Sequence, residues 1–449
     1  MRQELNPVSG KISNVFFAYA VPSIFALLSM ASASIIDGFF VGNYVGSDAL
    51  AAISISVPVL VFAYGIAVVF AAGGSVICGK YIGEGKKGKA SDIFVKSSIV
   101  ILIISVLFIL LSIFNLDGFA RFLSAKGAVL PLVKNYLYYI IFFFPLILVG
   151  FGWVYFVRVN QQPVLSSIAL VIAAVLNFIL DAIFIAYYGM GIKGAALATG
   201  IAQSVPLFIL LFSFLRKKSV VRFILPNNNW KDTWKAAHNG FSEFLNETST
   251  GIVTLLFNMV IMRTIGIDGV AAFSIINYLM YIAIMVSYGV GESLHVPVSM
   301  NYGARKSSRI GSLLKRALSF NFIVSLLIMF LLLVFPNFIV GLFLNEESVD
   351  VAPIAMEYIR YLWPGFMFSG ISIALSGYFT SMHCPNLSAG IAILRSLVLP
   401  VFFLFFFERT LGGEAIFLSI PVAEAITMVV ALFMLKANTP KVLVRTQFG

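Results

Sequence analysis

The chain has 449 residues, of which 60% are hydrophobic and 11% charged, and its mean hydropathy is +1.00. A soluble domain carries about 25% charged residues, so a water-facing surface for this length is excluded; two cysteines exclude a disulfide scaffold, and 44 Phe among long aliphatic runs exclude disorder. The net charge of +11 does not make a nucleic-acid surface, because the basic residues stand at the ends of apolar stretches and not on one face.

About twenty apolar residues cross a bilayer core. On that measure the sequence predicts twelve transmembrane helices, at 13–41, 49–78, 93–116, 130–155, 164–187, 192–215, 240–265, 269–299, 311–343, 351–380, 387–407 and 413–435. The first is too long for a signal-peptide core and reads as retained. After the second comes Gly83-Glu-Gly-Lys-Lys-Gly-Lys-Ala90, which satisfies GxGxxG. Ala90 stands where a P-loop needs Ser or Thr, and an apolar span precedes it instead of a strand, so it reads as a basic turn.

Lys and Arg placement sets orientation. Lys80, Lys86, Lys87 and Lys89, then Arg216, Lys217 and Lys218, then Arg305, Lys306 and Arg309 all fall on the side that holds both termini, which makes that side cytoplasmic. The polar connection 216–239 separates six helices from six. Its tail, with Trp230 and Trp234 among Lys231 and Lys235, reads as an interfacial amphipathic helix. The expected organisation is an N-lobe over 1–215, a cytoplasmic linker over 216–239, a C-lobe over 240–436 and a cytoplasmic tail over 437–449.

The halves repeat. Gly46-Ser-Asp-Ala-Leu-Ala-Ala52 matches Gly266-Ile-Asp-Gly-Val-Ala-Ala272, Gly83 meets Gly303, Lys86 meets Lys306, and Pro163-Val-Leu-Ser166 matches Pro385-Asn-Leu-Ser388. An even number of spans in each half makes the repeat parallel, with a pseudo-twofold along the membrane normal.

Ionisable groups inside spans need a reason, since a charge in hydrocarbon costs several kcal/mol. Asp37 lies roughly 36 Å along the first helix, and Asp181 roughly 25 Å along the fifth, at about 1.5 Å per residue. Asn177 precedes Asp181 by one turn on the same face, and Thr199 enters the sixth helix to a similar depth. Two carboxylates, an amide oxygen and a hydroxyl suit a hard monovalent cation, sodium included; alternatively, the paired carboxylates take up one proton. The competing reading is that the acids cap helix ends. Against it, the repeat places Phe257, Leu399, Phe403 and about Ile420 at these positions in the second half, so the polar set belongs to one lobe. The second half has its own buried acids in Glu247, Glu292 and Glu424: Glu247 and Glu424 are candidates for attracting a cationic substrate or joining the coupling, Glu292 reads as an interface residue beside His295, and Arg395 can neutralise one of the three. Pro22 removes a backbone hydrogen bond from the first helix and predicts a bend there. Scattered His238, His295 and His383 give no metal-ligand spacing, and no catalytic motif stands in the chain, so an enzyme is not expected.

The block Ala173-Ala-Val-Leu-Asn-Phe-Ile-Leu-Asp181, followed by Gly189-Met-Gly-Ile-Lys-Gly-Ala-Ala-Leu-Ala-Thr199, resembles the multidrug and toxic compound extrusion (MATE) family, as do Asp37-Gly-Phe-Phe-Val-Gly-Asn43 and Val298-Ser-Met-Asn-Tyr-Gly-Ala304. The resemblance implies an all-α membrane protein of two six-helix lobes that alternates access, exporting bulky, often cationic compounds against inward sodium or protons. It places Asp37, Asn177, Asp181 and Thr199 in the N-lobe cation site, adds Tyr136 from the fourth helix, makes Pro22 the first-helix hinge, and fits Glu247 to an acid seen in one branch. His295 stands where a Gln is typical, and Gln162 and Cys384 where relatives carry Gly.

The function expected is a cation-coupled drug antiporter, with no cofactor beyond the coupling ion, acting as a monomer in a bacterial inner membrane. The alternatives are a flippase for a lipid-linked precursor, which would want a more basic cavity, and a channel or membrane scaffold, against which the lobe asymmetry speaks.

Overall fold

The computed structural model describes residues 5–123, 126–341 and 351–448, and all regular structure among them is helical. The first four residues of the expected N-lobe, the last two of the ninth predicted span and the final Gly449 lie outside the described residues. In the first half run α1 Ile12–Tyr44, α2 Ser47–Gly83, α3 Lys87–Phe114, α4 Leu116–Phe122, α5 Val129–Ile141, α6 Phe144–Val159, α7 Pro163–Asp181 and α8 Gly191–Leu215. In the second run α9 Lys231–Thr264, α10 Ile267–Ser293, α11 His295–Gly303, α12 Ser307–Val334, α13 Pro336–Gly341, α14 Val351–Ser381, α15 Pro385–Ile393, α16 Leu399–Thr410, α17 Ser419–Ala437 and α18 Pro440–Phe448.

These make the twelve expected crossings, with a local departure. The fourth is not one rod: α5 and α6 meet at 59°. Pro145 stands in the first turn of α6, where its missing N–H is tolerated but continuation from α5 is not. The tenth, α14, carries Gly and Ser interspersed along its length. Those small residues are its packing face: Gly365, Ser369, Gly370, Ser372, Ser376 and Gly377 are all buried, against α10, α12 and α17.

Apolar bulk faces outward as well as inward. Leu111 and Phe114 of α3, Leu255 and Met259 of α9 and Phe433 of α17 are each at least 60% exposed, whereas Ser56, Ser75, Ser97, Asn177, Asn321 and Thr427 are wholly buried. Large exposed apolar faces on helices, with polar groups turned in, are what a hydrocarbon solvent selects.

The chain divides into two compact units, Met1–Asn6 with Val21–Gly240, and Pro7–Ala20 with Phe241–Gly449. The repeat is visible in the backbone of each. Left-handed residues recur in pairs at Gly46 and Gly266 (φ 112° and 99°), Gly85 and Arg305 (79° and 58°), and Gln161 and His383 (58° and 59°). Each pair marks the same turn of its half, so the chain reverses direction by the same local geometry twice.

Within the first unit the linker is not a loose tether. Lys96, fully buried in α3, donates to Asp92 at 2.7 Å, to the Asn227 side chain at 2.8 Å and to the Asn229 carbonyl at 2.8 Å, with the Trp230 ring 5.4 Å from its ammonium. The tail of the linker is not a separate interfacial helix either; residues 231–239 are the opening turns of α9. No breaker interrupts them, and Gly240 lets α9 approach α2 backbone to backbone. A Cβ on Gly240 would lie 2.0 Å from the Val69 carbonyl oxygen, and one on Gly73 would lie 1.9 Å from that of Ala236.

Candidate functional site

The inward stripe of α7 is Pro163, Ser166, Ser167, Leu170, Ala173, Asn177 and Asp181, a run at helical spacing that is buried throughout. Asn177 and Asp181 extend that stripe, which is why both are 0% exposed in a helix whose other face is lipid-ready Val, Ile and Phe. Directly after Asp181 the helix widens into a π turn, Ala182–Tyr187. Such turns displace side chains from the regular register and cluster at functional sites. Gly189 and Gly191, both left-handed, then return the chain into α8.

Phe40 of α1 packs its ring on Phe178 of α7 at 5.7 Å, and one turn before it Asp37 meets α8: the Thr199 hydroxyl donates to Asp37 Oδ2 at 3.4 Å. Asn177 and Asp181 approach the same carboxylate. Tyr136 of α5, 3% exposed, adjoins Thr199 with both acids near its hydroxyl. Four helices thus bring together the four residues that depth and spacing grouped and Tyr136, which the family resemblance added. Asp37 Oδ1, both polar atoms of Asn177 and both Asp181 oxygens are buried and make no hydrogen bond among the described residues. Two carboxylates with so little compensation suit a monovalent cation or a shared proton, either of which lowers the charge that burial penalises.

The corresponding place in the second unit is apolar. Phe257 is fully buried in a core with Phe273, Tyr358 and Phe417, and Ile420 packs on it. The Phe257 and Phe273 rings stack at 5.5 Å.

Charge in the second unit is gathered elsewhere. Arg395, in a π turn Leu394–Val398, pairs with Glu424 at 3.0 Å and donates to the Tyr288 hydroxyl at 3.1 Å. Glu424 is therefore the acid that Arg395 neutralises. Glu247 stands outside that pair, one turn beyond Glu243 on α9. Glu243 lies 3.6 Å from His295 Nε2 and accepts from the Thr380 hydroxyl at 3.3 Å, with Glu292 in electrostatic range of both acids. Glu243 escaped the sequence reading, although its spacing of four from Glu247 was a usable signal. Lys96 was also missed, since it reads as a positive residue near a helix start.

The MatE family model matches residues 22–183 and 244–406, one stretch in each half. The chain belongs to the MatE family. Among similar proteins, the multidrug export protein MepA of Staphylococcus saprophyticus is 24% identical over 424 residues, 93% of this chain and 92% of that one. MepA of Staphylococcus aureus is 22% identical over 422 residues, with the same coverage. Among solved structures, a MATE transporter in complex with MaL6 superposes with a TM-score of 0.92 at 22% identity, covering 99% of both chains. A MOP-superfamily transporter from Pyrococcus furiosus, described as having a binding pocket of reverse polarity that suggests a different function, gives 0.91 at 21% identity over 98% of each. The chain is thus a multi-pass membrane transporter of the MatE fold. In this MatE chain Pro22 sits inside an unbroken α1, one residue after the point where that helix passes from one unit to the other.

Proposed function

We propose that this chain is a cation-coupled antiporter that exports amphipathic, mostly cationic drugs or toxic compounds across a bacterial inner membrane, with both termini on the cytoplasmic side. The observation that carries the reading is the set of uncompensated buried oxygens on Asp37, Asn177 and Asp181, whose corresponding place in the second unit is apolar. Family membership and the multidrug export proteins that the chain is similar to support the class of cargo. Sodium or a proton is taken up at Asp37 and Asp181, Asn177 and Thr199 complete the oxygen set, and Tyr136 closes its side. Neutralising the acids removes the desolvation cost and mutual repulsion that two buried charges impose on α1, α7 and α8. The unit then repacks and its grip on the cargo weakens, so ion entry and drug exit exclude one another in time. Glu243, Glu247 and Glu292 supply negative potential for a cationic cargo in the second unit, whereas Glu424 is committed to Arg395.

The test is transport of a fluorescent cation such as ethidium by the purified chain in liposomes, under a sodium gradient, a proton gradient or none. Gradient-driven movement is expected for one ion, and it should be lost by at least tenfold in Asp37→Asn or Asp181→Asn while the folded yield is unchanged. Full activity in either well-folded variant would overturn the site assignment.

A further inference from the structure

A second feature of the first unit lies at the end that carries its basic loops. A cavity of about 430 Å³ opens where the C-terminal ends of α6 and α8 meet the start of α7, walled by Asn160, Gln161, Gln162 and the run Arg216, Lys217 and Lys218. Three cations beside a membrane protein's helix end are ordinarily just a solvated basic loop. Here three observations go further.

The loop is held in shape. The Asn160 amide oxygen accepts from the Val221 N–H at 2.8 Å, and Arg222 donates from Nε to the Ser219 carbonyl at 2.9 Å and from its guanidinium to that of Lys217. Arg216, Lys217 and Lys218 therefore project from a fixed rim while making no ion pair among the described residues. Secondly, α7 opens at Gln162 with no side-chain cap on its first turn, so the positive end of a nineteen-residue helix borders the same cavity. Thirdly, the helices rising from the rim are greasy on their outer faces: Phe212 and Leu215 just before Arg216 are 64% and 61% exposed, and Val164 just after Gln162 is 55% exposed. Cations, amides and a helix N-terminus on one side and lipid-facing apolar side chains immediately beyond match the two ends of a phospholipid.

We propose that this pocket binds the phosphate-bearing head group of an anionic phospholipid, with its acyl chains lying along the exposed faces of α7 and α8. The amides of Gln161 and Gln162 serve the glycerol and ester oxygens, and the three cations serve the phosphate. Nothing in this assignment rests on the coupling site or on the identity of the exported compound.

The experiment uses the full chain in phosphatidylcholine nanodiscs doped with phosphatidylglycerol, with bound lipid counted by native mass spectrometry after transfer to detergent. Each cation at a membrane surface contributes about a fivefold gain in affinity for anionic lipid. Retention of phosphatidylglycerol should therefore fall roughly 25-fold in Lys217→Gln/Lys218→Gln, two exposed positions whose loss does not threaten folding. It should be unchanged in Lys87→Gln/Lys89→Gln, which removes the same charge from the first turn of α3, outside the lining of this cavity. Equal loss in both double variants would reduce the effect to general surface charge and overturn the site. Displacement of the lipid by equimolar inorganic phosphate would overturn the lipid assignment in favour of a free-anion site, whereas displacement only by short-chain phosphatidylglycerol supports it.

Discussion

Two buried carboxylates with several unbonded oxygens and one arginine paired to one glutamate are opposite solutions to the same problem. Asp37 and Asp181 are left short of partners, and it is on this that the proposed ion uptake rests. Arg395 instead stands in an ion pair with Glu424 at 3.0 Å and donates to the Tyr288 hydroxyl at 3.1 Å, so each charge there faces its opposite. A buried pair of this kind contributes little net stability, but removing one partner strands the other. Arg395→Met should therefore destabilise the second unit by about 3–5 kcal/mol, read as a fall in the thermal midpoint in detergent. Adding Glu424→Leu should recover most of that loss, because an apolar pair of similar volume removes the stranded charge. A double variant no better than the single one would show that Arg395 acts through something other than Glu424.

Helices in this protein are placed by small residues where water-soluble proteins would use large ones. Gly73 on α2 and Gly240 on α9 let the carbonyl groups of each helix rest directly on the backbone of the other. Gly377 on α14 does the same against Gly291 on α10, where a Cβ would stand 2.8 Å from the Gly291 oxygen. With lipid as apolar as leucine, close packing and polar contacts are what hold such helices together. Gly73→Ala and Gly240→Ala force backbone atoms apart and should each cost about 1–3 kcal/mol or prevent folding. Gly311→Ala, at an α12 position with nothing within 4 Å, should instead be neutral or stabilising by up to about 1 kcal/mol through helix propensity. Thermal melting of the three side by side separates close approach from propensity. The π turns after Asp181 and around Arg395 add a second elementary device, since each adjoins an intramembrane charge of its unit.

Two helices of the chain, α1 and α9, pass from one unit to the other. α1 begins within the second unit and ends in the first, and the change falls between Ala20 and Val21, next to Pro22. The proline leaves the Ala18 carbonyl without its usual partner four residues on, so α1 is softest where its allegiance changes. Pro22→Ala should restore that bond, raise the thermal midpoint, and slow gradient-driven export severalfold without altering ion binding at Asp37. An unchanged transport rate would remove Pro22 from the working cycle. The Lys96 latch makes the complementary statement for the linker, whose buried ammonium contacts tie residues 227–230 to α3 and make them part of the first unit.

The residues alone were enough for the membrane class, the twelve-helix organisation and the repeat, because hydrocarbon imposes length and composition that a one-dimensional reading can count; helix starts were read less well, since α9 begins at Lys231 where 240 was expected and α3 at Lys87 where 93 was expected. They were also enough to group Asp37, Asn177, Asp181 and Thr199 as one set, since helical spacing and depth place them together and the second half lacks them. Packing in three dimensions settled what pairwise spacing cannot carry. It matched Arg395 to Glu424 and not to Glu247, brought Glu243 to His295 and Thr380, broke the fourth crossing at Pro145, and folded the linker onto Lys96. Each of these depends on which faces of helices distant in sequence meet, and only the assembled core selects those faces.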